Sequence, residues 1–157
     1  MIKNLIIGLF FVVIVFVGIH IYKNRKKKDA LTLAGRRRSI YEINYDKIKR
    51  FLVEDHKHFK ADGFMDLVVE KIGEDEYSLC HYYEQNGDLM RDPEMTVRVI
   101  KYFPGMPMVE ALSFQMDYPP TYQVVYPDKD HVYPKIKKDL NIFLGQWLNN
   151  LMYQGHK

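Results

Sequence analysis

Between His81 and Glu94 the chain reads His-Tyr-Tyr-Glu-Gln-Asn-Gly-Asp-Leu-Met-Arg-Asp-Pro-Glu. Glu84, Asp88, Asp92 and Glu94 offer carboxylates, and Gln85 and Asn86 add carboxamide oxygens. Oxygen-rich sets of this kind hold Mg²⁺ or Ca²⁺, and carboxylates in unlike environments share acid and base work. With His81 as general acid or base and the four acids as ligands, the chemistry would be metal-assisted hydrolysis. The spacing matches neither the D-x-[DN]-x-[DN]-G calcium loop, nor a phosphate-cradling G-x-x-x-x-G-K-[ST], nor H-E-x-x-H.

The same segment has a second explanation. Asn86-Gly87 between β-rich runs is a hairpin turn, because both residues tolerate positive φ. Counting outward pairs Gln85 with Asp88, Glu84 with Leu89, Tyr83 with Met90, Tyr82 with Arg91 and His81 with Asp92. Proline cannot donate to a ladder, so Asp92-Pro93 should end or bulge the return strand. Asn86 and Arg91 are then the binding candidates, with Arg91 over Tyr82 and His81 beside Asp92 as purely stabilising contacts.

Other chemistry has thinner support. Cys80 precedes His81, but neighbouring strand residues point to opposite faces, which excludes a direct couple and makes Cys80 a core residue. Ser39, Ser78 and Ser113 lack a nucleophile-elbow context. His56 and His58 form an H-x-H pair without a third ligand and are expected to face solvent. No cofactor is expected, and a divalent metal enters only with the hydrolase reading. Tyr77, Tyr82, Tyr83, Tyr102, Tyr118, Tyr122, Tyr126 and Tyr133 are expected mainly in the core, an aromatic recognition surface being the alternative. Too few basic residues lie among them for RNA stacking.

The elements that would position these groups follow from periodicity. Asn44 caps a helix over 44–55, with Ile48, Phe51 and Leu52 on one face. β-rich runs occupy 64–72, 77–83, 95–103, 109–116 and 122–126, and the valines alternate with polar residues at Thr96-Val97-Arg98-Val99. From Pro134 the residues Ile136, Leu140, Phe143, Leu144, Trp147, Leu148 and Leu151 recur at spacings of three and four, until Gly155 stops the helix. Lys137 and Asn141 are among the polar residues placed away from that stripe. The order predicts an α+β fold, a small antiparallel sheet of four to five strands against an N-terminal and a long C-terminal helix.

The chain begins differently. Residues 2–22 read IKNLIIGLFFVVIVFVGIHIY, uninterrupted by charge after Lys3. As a helix they measure about 31 Å, enough to cross the hydrocarbon layer. One basic residue precedes the run; Lys23, Arg25, Lys26, Lys27, Lys28, Arg36, Arg37 and Arg38 follow it. The positive-inside rule therefore sends the N-terminus out and keeps the rest cytoplasmic, at the inner membrane in a single pass. These eight residues are also candidates for anionic lipid headgroups.

The net charge of +3 over 157 residues averages two unlike regions. Through Arg38 nine basic residues face one acid, whereas from Ser39 onward fourteen face nineteen. The surplus positive charge thus lies outside the globule, which argues against a nucleic-acid partner. With 47% hydrophobic and 14% aromatic residues the chain is not disordered, and a single cysteine excludes an intramolecular disulfide. The division expected is an anchor over 1–22, a basic linker over 23–38 and a domain over 39–157.

HYYEQNGDLMRDPEMTV (81–97) and LNIFLGQWLNNLMYQGHK (140–157) resemble an uncharacterised bacterial domain of unknown function often carried on plasmids, phages and integrative elements. The last segment, with Phe114-Gln115 and Tyr126-Pro-Asp128, is also similar to the YqiB-like family. Neither resemblance implies a reaction or ligand. The reading that follows is a membrane-anchored, cytoplasm-facing interaction module with the bilayer and a protein as partners. The alternatives are the metal-assisted hydrolase and a nucleic-acid-associated protein of a mobile element.

Overall fold

The computed structural model describes Lys23, residues 36–101 and residues 106–157. The chain divides after Arg37, and Arg38–Lys157 is a compact unit. The expected anchor over 1–22 lies outside the described residues, as do Arg25, Lys26, Lys27 and Lys28. Among the described residues no helix is long and apolar enough to cross a membrane.

The unit is α+β, and its sheet has six antiparallel strands rather than the four to five expected. In chain order they are β1 (His56–Phe59), β2 (Leu67–Lys71), β3 (Glu76–Gln85), β4 (Asp88–Ile100), β5 (Met108–Met116) and β6 (Thr121–Val124). Each pairs with its sequence neighbours, a meander that short connections produce without crossovers. The extra strand is β1, whose residues 56–58 are exposed and apolar only at buried Phe59. A strand at the rim needs one inward residue, so it carries almost no periodic signal.

Helix α1 (Ile40–Ile48) begins earlier than expected. Its cap is Ser39, not Asn44: the Ser39 hydroxyl accepts from the Glu42 N–H while the Glu42 carboxylate accepts from the Ser39 N–H. That reciprocal pair is the S-x-x-E box, already readable in Ser39-Ile-Tyr-Glu42. Asn44 instead lies buried inside the helix, and Ile48 and Phe51 still enter the core as their spacing required. The Arg38 guanidinium binds Asp46 and the Glu42 carbonyl at the start of this helix.

Helix α2 (Pro134–Gln154) ends at Gly155, whose φ of 81° only glycine adopts without strain. Leu140, Leu144, Trp147, Leu148 and Leu151 are buried on its inner side, each contributing roughly 1.5–3 kcal/mol through the water it sheds. They meet Tyr77 and Leu79 of β3, Met95, Val97 and Val99 of β4, and Val109 and Ala111 of β5. These residues alternate along their strands, so the core occupies one face of the sheet.

Two expected surface residues of α2 are drawn inward. Asn141 is buried, accepting from the Ala111 N–H at 3.1 Å and donating to the Lys137 carbonyl at 2.7 Å. Its own carbonyl accepts from Asn44 Nδ2 at 2.8 Å, which binds the helices together. Lys137 forms an ion pair with buried Glu110. Periodicity misses both because a polar side chain enters a core only when a particular partner awaits it.

Candidate functional site

The hairpin forms around Asn86 and Gly87, at φ 57° and 88°, the mirror-type turn that matches strand twist. Gln85 pairs with Asp88, Glu84 with Leu89, Tyr83 with Met90 and Tyr82 with Arg91, in the register read from sequence. The count then breaks: Cys80 lies opposite Glu94, so two steps on β3 match three on β4. This bulge contains Asp92 and Pro93, where proline forfeits no ladder bond. It cancels the expected His81–Asp92 cross-strand pair. It also turns Arg91 and Glu94, three residues apart, onto the same face.

That face is the one opposite the helices. Arg91 donates from Nε to Asp117 Oδ2 at 3.1 Å, from Nη2 to Asp117 Oδ1 at 2.9 Å and from Nη1 to Glu94 Oε2 at 3.3 Å. With its amide oxygen turned inward, Gln115 accepts from the same guanidinium at 2.7 and 3.1 Å. Glu94 also accepts from the Ser78 hydroxyl at 2.8 Å. Every direction of the guanidinium plane is thus engaged, and the Arg91 hydrogen bonds hold the Asp117 carboxyl below the usual carboxylate range. Cys80, buried on this face, has its thiol pushed up to about 12 by burial. It is no nucleophile near neutral pH.

His81 goes elsewhere. It lies opposite Leu67 of β2 and turns toward α2, with its ring 5.5 Å from Trp147 and 5.7 Å from His156. Its Nδ1 is 2.9 Å from the Asp66 carbonyl, and burial lowers its pKa. The sheet therefore separates the imidazole from Glu94. Glu84 and Asp88 are exposed beside the turn. Among the described residues no three His, Cys, Asp or Glu side chains converge to hold a metal.

The tyrosines divide in a way their composition did not indicate. Tyr77 is in the core, but Tyr122 is 65% exposed and Tyr118 68% exposed; Tyr102 lies outside the described residues. Tyr122 lines a cavity of about 320 Å³ on the open face, together with Thr96, Arg98, Glu76, Leu112 and Ser113. A second bulge contributes to its lining. Thr96 is opposite Ser113 and Val97 opposite Ala111, so Leu112 is the extra residue, joining the open-face side chains. The Thr96 and Ser113 hydroxyls touch at 2.6 Å, and Arg98 Nε donates to Glu76 at 2.9 Å.

A family profile matches residues 39–157, the compact unit less its first residue. The chain belongs to the DUF6908 family, a domain of unknown function. No curated protein and no solved structure matches it. In this DUF6908 domain Asp117 and Gln115 complete the Arg91 cluster; the sequence marks Gln115 only through the Phe114-Gln115 resemblance and does not mark Asp117 as a site residue. The one signal for Asp117 is position: it ends a β-rich run before Pro119-Pro120. Only the pairing of β4 with β5 brings it to Arg91.

Proposed function

We propose that the chain is a single-pass membrane protein whose DUF6908 domain is held at the cytoplasmic face and binds a partner through the uncovered side of its sheet. The observation that carries this reading is that, among the described residues, helices cover only one face of the sheet. Both helices pack on the face holding Leu79, Val97 and Ala111. The other presents the Arg91–Asp117–Glu94 cluster, the Thr96–Ser113 hydroxyls and exposed Tyr122. Arginine and tyrosine are residues on which protein recognition commonly concentrates its energy. The apolar run over 2–22 and the basic residues after it support the anchor and its direction. The likeness to the YqiB-like family and to domains on mobile elements belongs to the same reading and names no reaction.

Two measurements test it. Protease added to inside-out vesicles should digest the domain, whereas digestion in right-side-out vesicles would refute the topology. Photo-crosslinkers at positions 82, 96 and 122 should capture the same partner, while one at position 142 on α2 should not. Capture from position 142 alone would move the contact to the helical side. Against the hydrolase alternative, no three His, Cys, Asp or Glu side chains converge among the described residues, and calorimetric titration with Mg²⁺, Mn²⁺ or Ca²⁺ should give no heat of binding.

A further inference from the structure

We propose that the cavity beside Tyr122 is a saccharide-binding site, taking one neutral sugar ring or the end of a short glycan. The proposal deepens the binding-module reading, since the cavity lies on the face assigned to partner contact. Its volume of about 320 Å³ is at the small end of ligand pockets and suits one or two rings.

The lining selects the chemistry. Toward β3 and β4 stand Glu76 and Arg98, 37% and 45% exposed and paired at 2.9 Å. One is an acceptor, the other a donor, and their charges cancel. The floor holds the Thr96–Ser113 hydroxyls, of which one hydrogen is spent within the pair and the other is available to a ligand. Tyr122 and Val124 come from β6, with Tyr126 just beyond it. One flank is therefore polar in both senses, and the other is aromatic and aliphatic. A pyranose matches both: its hydroxyls donate and accept around the rim, while its C–H face packs on a phenol ring.

Part of the aromatic flank is preorganised. The Tyr126 hydroxyl donates to Glu110 at 2.7 Å and accepts from Lys137 at 2.8 Å, which fixes the ring before any ligand arrives. Burial works against the Lys137 charge, yet the hydrogen bonds it donates to Glu110 and Tyr126 hold its pKa up, so the clamp persists through neutral pH. Charge balance disfavours other occupants. A phosphate or a nucleic-acid strand needs surplus positive charge along its path, and Arg98 is already matched by Glu76.

The test uses the full chain in lipid nanodiscs, because sugar-headed detergents would compete. Saturation-transfer NMR is run against glucose, galactose, N-acetylglucosamine and their β-linked disaccharides, with adenosine and uridine alongside. At least one saccharide should receive saturation at its ring C–H protons. Its Kd should rise about tenfold or more in Tyr122→Ala and in Arg98→Gln. Tyr153→Ala, on a side chain 93% exposed on α2, should leave it unchanged, and Trp147 fluorescence checks that each variant is folded. No transfer from any saccharide at about 10 mM, binding indifferent to Tyr122→Ala, or Tyr122-dependent nucleoside binding would each overturn the proposal. If vesicle proteolysis supports the topology while sugars fail, this inference alone falls. If sugars bind a domain found outside, only the cytoplasmic placement falls.

Discussion

Arg91 and Asp117 face each other across the β4–β5 end of the sheet, joined by two side-chain hydrogen bonds of 2.9 and 3.1 Å. The Arg91 backbone N–H donates to the same carboxylate at 2.8 Å, and the Asp117 N–H returns a bond to the Arg91 carbonyl at 3.2 Å. The pair thus extends the ladder beyond Met116, where β5 ends. Removing either member should fray the strand ends as well as delete an ion pair.

That relationship fixes an acid limb. The Asp117 pKa is depressed by its hydrogen bonds to Arg91, so its contribution is fully present above the ordinary carboxylate value, about 3.9. It is lost as pH falls through the folded-state pKa. Chemical denaturation between neutral pH and pH 3 should show wild type losing more stability on acidification than Asp117→Asn. A cycle with Arg91→Met should be non-additive; strict additivity would mean the two act independently.

A second limb belongs to His81. Burial lowers its pKa, with the neighbouring His156 acting in the same direction. Stability from this site is complete above the unfolded value, about 6.5, and declines as pH falls toward the folded value. While only the unfolded chain takes the proton, the slope is at most about 1.4 kcal/mol per pH unit. Denaturation followed by Trp147, the single tryptophan, should show this decline between pH 7 and 5, and His81→Gln should flatten it.

Gly145 marks a close approach of the helices. A Cβ built there would lie 2.7 Å from Asn44 Oδ1, and Asn44 is buried with its Nδ2 committed to Asn141. Gly145→Ala gains up to about 1 kcal/mol in helix propensity, yet overpacking should cost about 1–3 kcal/mol. A net loss is expected in thermal denaturation. Adding Asn44→Ala should recover part of it by removing the obstructing atom.

Cys80 should be unreactive until the sheet opens. Its thiol is 2% exposed and its pKa is about 12. Iodoacetamide at pH 8 should modify the native protein very slowly and the denatured protein completely. Fast native labelling would mean that this part of the open face is far more accessible than its neighbours' packing implies.

Much of this architecture is written locally. Asn86-Gly87 sets the hairpin and its first four pairs, because a two-residue turn leaves the strands no other register. Leu140, Leu144, Leu148 and Leu151 place α2 on the sheet, and Gly155 stops it, since both depend on residues within a few turns of each other. The charge contrast across residue 38 is likewise a property of the sequence alone.

The candidate site is not local. The bulge at Asp92-Pro93 was legible as a disturbance, but which partners it would align depended on β5. Asp117 and Gln115 reach Arg91 only when β5 lies beside β4, and Leu112 joins the cavity lining only where Thr96 and Val97 skip a partner. His81 falls on the face opposite Glu94 because β3 keeps its alternation through the bulge while β4 inserts a residue. Side-chain periodicity tells each strand which residues share a face; which face the helices cover, and which polar groups then meet on the other, is decided only when distant strands pair.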